Sequence, residues 1–413
     1  MTSVWFGRFL LAMLALPTLK SALGVDGGAV FQILAVEDLG ASPAAIGTAL
    51  GLGVVSVPIQ IWAARMPISV SQRNLIAFFG VVAAAAGLLA VMVFLARSGT
   101  VATAIVVVGL SVTVVAELAV SVLFATSWQP LLSLTLTSTQ RQNVNSRGRA
   151  AGSAVLVAVL LLFGAGDSAV RVAILVGVMI TACAIMLMLR KLPMPGPGND
   201  APVTVGESTL RPLAGRGGVP RDVVPLLVFT GFAVASAWPL FPVYAAKVFW
   251  PSADLGVIGA VEIGVTIAVA ALWRPTAGNL FGRARVSVAA LVVVALCFVG
   301  LPSPEGSGIA GMATLALFAV AVACRDVALL AMLELVHRAV DRRTSVRTLT
   351  ILDVVESTSL QAALFAGGLM ITWSASVSLG ATDPYRLYVL AITVGAAIAF
   401  RGAQKRRTTP VAA

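Results

Sequence analysis

Apolar runs of about 20 residues, each long enough to cross a bilayer as a helix, recur twelve times along this 413-residue chain. Hydrocarbon offers no water to a free N–H or C=O, so a spanning segment must be a helix or a strand of a closed barrel. The runs lack the alternation of barrel strands, and the expected fold class is therefore an all-α integral membrane protein. The spans are expected at 5–36, 44–64, 74–96, 103–136, 150–166, 169–189, 223–246, 255–273, 286–301, 309–337, 349–371 and 385–400. Charged residues make up 11% of the chain, where a soluble domain carries about 25%. Gly24, Gly27 and Gly28 weaken the first span and permit a bend there. The fourth and tenth spans are over-long and must tilt, bend or project, and Pro130 offers a bend in the fourth.

Net charge is +11, which by itself would suit nucleic acid, but the placement of the charges excludes that partner. With both termini on the cytoplasmic side of the cell membrane, all but six of the 28 Lys and Arg fall in inner segments, leaving Lys20, Arg97, Arg171, Lys247, Arg325 and Arg386. This is the positive-inside bias, and it sets the orientation. Cys183, Cys297 and Cys324 stand singly in apolar runs and His337 is the only histidine, so no metal site, disulfide framework or catalytic triad is indicated. No cofactor is expected; a proton gradient is the expected driving force.

The chain repeats itself. Gly47 to Arg73 (GTALGLGVVSVPIQIWAARMPISVSQR) matches Gly256 to Arg283 (GVIGAVEIGVTIAVAALWRPTAGNLFGR), and 146–166 matches 345–368, with Arg149 facing Arg347. The offsets are 209 and 198 residues, so the reading is a six-helix half over 1–191, a Pro/Gly-rich cytoplasmic linker over 192–222, and a second half over 223–413 with a basic tail. Tandem repetition of this kind is typical of secondary transporters.

Two six-helix halves, a long middle loop and basic loops after the second and eighth spans resemble the major facilitator superfamily. The resemblance covers the whole chain and rests on architecture more than motif. Of the family's loop signature G-x-x-x-D-x-x-G-R-R/K, ARMPISVSQRN keeps basic residues without the Asp, and PTAGNLFGRAR keeps Gly282-Arg283 with Asn279 in the Asp position. The gating role of that Asp is not carried over. The G-P-x-x-G-G element of the family's drug/proton antiporters is replaced by GSAVLVAVLLLFGAGD. The resemblance implies that helices 1, 4, 7 and 10 line a central cavity, that 2, 5, 8 and 11 flank it, and that 3, 6, 9 and 12 face lipid.

Ionisable groups inside a membrane are costly and are functional candidates by default. Spans 3, 6, 9 and 12 have none in their interiors, whereas spans 1, 4, 8, 10 and 11 do. The candidates for substrate binding or proton coupling are Lys20, Asp26, Glu117, Trp128, Gln129, Glu262, Arg325 and Asp326. Thr113, Glu117, Ser121 and Trp128 share one face of span 4. Lys20 and Glu117 could equally pair with other helices to fix packing, and Trp128 could equally be core. Arg325 and Asp326 point about 100° apart on a helix, so each is expected to find a partner elsewhere or a ligand. Arg325 suits a carboxylate or phosphate. Nearer the cytoplasm, Glu334 and Arg338, with Asp353 and Glu356, read as a gate of ion pairs that break and reform.

The expected function is alternating-access secondary transport, as proton-coupled efflux of a small amphipathic organic molecule by a monomer in a lipid bilayer. Uptake of a small anionic metabolite is the alternative. A membrane enzyme would need a catalytic constellation, and neither H-E-x-x-H nor G-x-S-x-G is present; a receptor would not need so many buried charges.

Overall fold

The computed structural model describes residues 2–23, 28–63, 71–99, 102–136, 140, 143–191, 238–273, 280–304, 308–339, 345–377 and 383–408. The described helices fall in all twelve expected spans, and no strand occurs among these residues. Eight helices are long and apolar enough to cross a membrane, and Pro43–Ile59 and Ala150–Ala165 are shorter apolar helices. The linker 192–222 lies outside the described residues.

Span 1 consists of Thr2–Leu23 and then Ala29–Ile33, which continues as a π-turn over Leu34–Asp38. At the break, Ser21 Oγ accepts from Val30 N–H at 3.3 Å, and a Cβ at Gly28 would run into the carbonyl of Ser21. Span 7, described from Trp238, ends the same way, with Phe241–Tyr244 passing into a π-turn over Ala245–Phe249. Span 2 is Pro43–Gly51, a 3-10 stretch Leu52–Ser56, and Val57–Ala63. Spans 3 to 6 are Ser71–Arg97, Thr103–Thr135, Arg149–Ala165 and Ser168–Arg190; spans 8 to 12 are Leu255–Leu272, Leu280–Gly300, Ile309–Ala339, Ser345–Ser376 and Pro384–Thr408.

Caps set the starts of spans 2, 6 and 8, where no fourth-residue carbonyl is available to the first amides. Ser42 caps span 2 through Ala45 N–H, Asp167 caps span 6 through Ala169 and Val170, and Asp254 caps span 8 through Gly256 and Val257. Span 4 stays α-helical through Pro130 for 33 residues, so the expected bend is not a break. Span 11 is longer than its apolar run, at 32 residues, because its inner extension is polar.

The two halves meet along two pairs of helices, span 2 against span 11 and span 5 against span 8. Each pair crosses glycine on glycine near the end expected to face outward. A Cβ on Gly47 would lie 2.7 Å from Gly368 Cα, and one on Gly164 would lie 2.7 Å from Gly256 Cα. Below the first crossing, Gly51 sits against Phe365 and Gly53 against Gln361. Span 1 reaches span 7 through Gln32, whose Nε2 donates to Pro239 O at 2.5 Å.

The described core holds two aromatic clusters on equivalent span triplets but at opposite depths. Phe9, Phe78, Phe79, Phe124 and Trp128 join spans 1, 3 and 4 toward the end expected to face inward. Trp238, Phe241, Phe298 and Phe318 join spans 7, 9 and 10 toward the end expected to face outward. Large apolar side chains such as Val91, Phe94, Ile180, Val293 and Ile398 on spans 3, 6, 9 and 12 point away from the bundle, and so do others on the remaining spans, such as Trp62, Val108, Leu162 and Trp373.

The glycine crossings are testable. Gly368→Ala sets a methyl against the backbone of span 2, and overpacking of this kind costs about 1–3 kcal/mol, read as a lower melting temperature. Gly368→Leu is expected to wedge the crossing open, so that spin labels on the outer ends of spans 2 and 11 move apart.

Candidate functional site

The described ionisable groups in the middle of the spans resolve into one charge cluster and two separate side chains. Glu262 and Thr266 lie on span 8, one helical turn apart, and face Arg325 and Asp326 on span 10. Arg325 Nη1 donates to Glu262 Oε1 at 2.6 Å, and its Nε donates to Asp326 Oδ1 at 2.9 Å. Thr266 Oγ1 donates to Asp326 Oδ2 at 2.6 Å. The three charged side chains are 10% (Arg325), 14% (Glu262) and 10% (Asp326) exposed. Pairing is required here, because an isolated ion in this setting costs several kcal/mol.

The expectation that Arg325 and Asp326 diverge fails. The helix does separate their Cβ directions, but the arginine side chain is long enough to curl back so that its Nε meets the neighbouring carboxylate. What held is that each also has a partner elsewhere, Glu262 for Arg325 and Thr266 for Asp326.

Glu117 is fully buried in span 4, and Ser121, one turn on, donates to its Oε1 at 2.5 Å. Thr113, on the same face, donates to Gly109 O. Lys20 is half-buried, with its ammonium 5.9 Å from the Phe124 ring centroid, and it has no carboxylate partner among the described residues. Trp128 stacks on Phe124 at 5.0 Å and meets Phe9 edge-on at 5.5 Å, so it is part of the aromatic core. Its indole Nε1 is buried without a hydrogen-bond partner among the described residues. Asp26 lies outside the described residues, as do the side chains of Gln129, Glu334, Arg338, Asp353 and Glu356.

Two buried arginines were not singled out from sequence. Arg171, in the first turn of span 6, pairs with Glu37 and with Asp38 at 3.1 Å, and its Nε donates to Phe163 O at 2.9 Å. Arg386, in the first turn of span 12, donates from Nε to Tyr244 Oη at 2.8 Å and from Nη1 to the carbonyls of Phe298, Val299 and Leu301. Its guanidinium lies 4.5 Å from the Phe249 ring centroid. Asp383 accepts from Tyr244 Oη at 2.7 Å and from Ser374 Oγ at 2.6 Å. Each arginine ties the outer end of span 1 or span 7 to the rest of its own half. The signal was present as an Asp three or four residues before an Arg at the start of spans 6 and 12.

Glu37 and Asp38 lie at the outer end of span 1, beyond its membrane stretch. Burial pushes both carboxyls above their usual range, against the lowering influence of Arg171. An apolar hollow of about 500 Å3 between spans 11 and 12, lined by Met370, Trp373, Leu387 and Tyr388 among others, shares no residue with the charge cluster.

No protein-family model matches the chain, and no curated protein matches it by sequence. Solved structures match it closely in shape. The nucleoside transporter NupG (D323A mutant) superposes with a TM-score of 0.67 at 11% identity, over 96% of this chain and 98% of that one. The POT family transporter PepTSo gives 0.64 at 10% identity, over 96% and 98%. A bacterial homologue of the iron transporter ferroportin, in its outward-facing state, gives 0.57 at 14% identity, over 96% and 100%. The chain therefore has the fold of the major facilitator transporters: an all-α membrane protein of twelve spans in two pseudo-symmetric halves.

Two predictions follow from the buried charges. Arg325→Ala strands two carboxylates and is expected to cost about 3–5 kcal/mol, with much of the loss recovered when Glu262→Gln and Asp326→Asn are added; thermal unfolding of the three proteins checks this. At Glu37 and Asp38 the raised pKa makes the folded state the better proton binder. Their contribution to stability is therefore full below the unfolded values of about 4 and is lost as pH rises through the raised folded values. Melting temperature should fall across that window, and fall further in Arg171→Gln, which removes the lowering influence; a Glu37→Gln/Asp38→Asn protein should lack this component.

Proposed function

We propose that the protein is a secondary active transporter that works by alternating access and is driven by protons across the cell membrane, with both termini in the cytoplasm. The observation that carries this reading is the cluster on spans 8 and 10, where two carboxylates share one guanidinium at low exposure. Such a cluster changes its net charge and its internal pairing when a proton arrives. Support for the transporter class comes from the fold, and support for orientation from the basic inner segments. The glycine crossings bring the two halves into close contact near the end expected to face outward. Glu117 adds a third carboxyl, fully buried on span 4, whose inner end carries the aromatic pair Phe124 and Trp128.

The first reading of the cargo is a small amphipathic organic molecule moved outward in exchange for protons, with the apolar face of span 4 as its contact. Uptake of a small organic anion is a second reading, favoured by Lys20, which holds a positive charge in mid-span with no carboxylate partner among the described residues. In either case the protein acts as a transporter and not as an enzyme, and its cargo is released unchanged.

The test is reconstitution into proteoliposomes containing a pH-sensitive dye. Addition of a cargo drawn from an amphipathic cation and organic anion panel should move protons in the wild type, with inflow and outflow distinguishing exchange from co-transport. Glu262→Gln is expected to reduce cargo-dependent proton movement at least tenfold. Cargo accumulation that is insensitive to both the pH gradient and Glu262→Gln sinks proton coupling.

A further inference from the structure

Counting donors and acceptors in the charge cluster separates its two carboxylates. Asp326 is held on both oxygens, Oδ1 by Arg325 Nε and Oδ2 by Thr266. Glu262 is held on Oε1 alone, by Arg325 Nη1, and its Oε2 has no partner among the described residues. It is also the most exposed of the three, at 14% against 10% for the other two. Arg325, in turn, uses Nε on Asp326 and Nη1 on Glu262, and its Nη2 has no partner among the described residues. The two terminal nitrogens of a guanidinium form the fork that binds a carboxylate or phosphate through two parallel hydrogen bonds. One prong of that fork is occupied by Glu262 and the other is open.

We infer that Arg325 Nη1 and Nη2 are the seat of an oxyanion on the cargo, that this oxyanion displaces Glu262, and that the displaced Glu262 takes up one proton. Asp326, bonded by Thr266 Oγ1 and Arg325 Nε, holds the guanidinium in place. The balance is one proton bound for each monovalent anion bound, with Glu262 neutral and the Arg325–Asp326 pair intact. The inference rests on the transporter reading and selects its anionic form, with anion and proton moving in the same direction.

Among the described residues, Glu262 is the carboxyl of this cluster with an unbonded oxygen. Span 10 brings Arg325, Asp326 and the half-buried Cys324. Span 5 has no titratable side chain from Ala150 to Ala165, and Ala29–Ile33 of span 1 has none. The short helix of span 7 contributes Tyr244, already bonded to Asp383 and Arg386. A proton taken up on anion binding at this cluster therefore has one evident acceptor. If anion and proton bind together, each must favour the other by the same factor.

The experiment uses the purified full-length protein with acetate, pyruvate, benzoate, succinate and inorganic phosphate as probes. Thermal stabilisation at pH 5.5 and pH 8 identifies a binder, and calorimetry in two buffers of different ionisation heat then counts protons. The expected result is uptake of about one proton per monovalent anion, with affinity up to about tenfold weaker for each pH unit between pH 5.5 and pH 8. Glu262→Gln should bind the same anion with no proton uptake and with the tenfold dependence gone. Asp326→Asn should bind more weakly but keep the uptake, and Arg325→Lys, which retains the charge without the fork, should lose at least tenfold in affinity. Failure of every probe to stabilise the wild type, uptake that persists in Glu262→Gln, or uptake that disappears in Asp326→Asn alone overturns the assignment. Anion binding with proton uptake but no flux in proteoliposomes would keep the site and reject the transporter reading.

Discussion

An ionised group removed from water must be compensated where it sits, and the three best-buried arginines described in this protein solve that problem in two ways. Arg171 and Arg386 stand where helices end. The last carbonyls of a helix have no amide left to bond and carry the negative end of its dipole. Phe163 lies at the end of span 5, and Phe298, Val299 and Leu301 at the end of span 9, and these carbonyls take the guanidinium hydrogens of Arg171 and Arg386. One side chain thus satisfies orphan acceptors and is itself neutralised. Arg325 stands in the middle of a 31-residue helix, where every nearby carbonyl is already used. Only carboxylates remain to balance it. Arg171 also pairs with Glu37 and Asp38 and Arg386 lies 3.9 Å from Asp383, so carboxylates contribute at helix ends as well; at Arg325 the described partners are carboxylates alone, and protonation there leaves no described carbonyl contact to hold the side chain.

Packing places the contact of Arg325 with Glu262 where it can be felt. Span 8 carries Gly256, which crosses Gly164 of the other half, and six residues later Glu262, about 9 Å further along the helix axis. A rearrangement at Glu262 and a change in the angle of the crossing involve the same rigid element. Span 10 contributes the guanidinium without any glycine crossing of this kind among the described residues. In the proposed cycle, span 8 is therefore the helix that links charge state to the closure of the outer end, and span 10 is the fixed member.

How much of this was legible follows from the range of each interaction. Span positions and the inside–outside bias depend on composition averaged over about 20 residues, and the structure places helices in all twelve expected positions. The grouping of Glu117 with Ser121 follows from helical period alone, and it too is found as a 2.5 Å hydrogen bond. The pairing of Arg325 with its neighbour was misjudged, because Cβ directions decide contacts for short side chains but not for one with four carbons' reach. Arg171 and Arg386 were passed over because they sit near helix ends, where a charge looks exposed; the fold of each half closes over them. The partners of Arg325 required knowing that spans 8 and 10 pack together, and nothing in the local pattern around Glu262 states that.

The repeat also shows what tandem duplication leaves free to diverge. Helix order, π-turns at the ends of spans 1 and 7, and the two glycine crossings are shared, and all of them are backbone features. Side-chain chemistry is not shared. The first half packs Phe9, Phe78, Phe79, Phe124 and Trp128 toward the end expected to face inward, while the second packs its rings toward the end expected to face outward. The described mid-span charge of the first half is Lys20 and Glu117 on separate helices; that of the second is a single bonded cluster. Rigid-body rocking about a pseudo-symmetric interface needs only the backbone features to match. A cargo site between the halves gains from their differing, because an asymmetric molecule can then meet an aromatic wall on one side and a guanidinium on the other. The conserved geometry and the divergent chemistry thus serve separate requirements, and the same two six-helix halves can satisfy both.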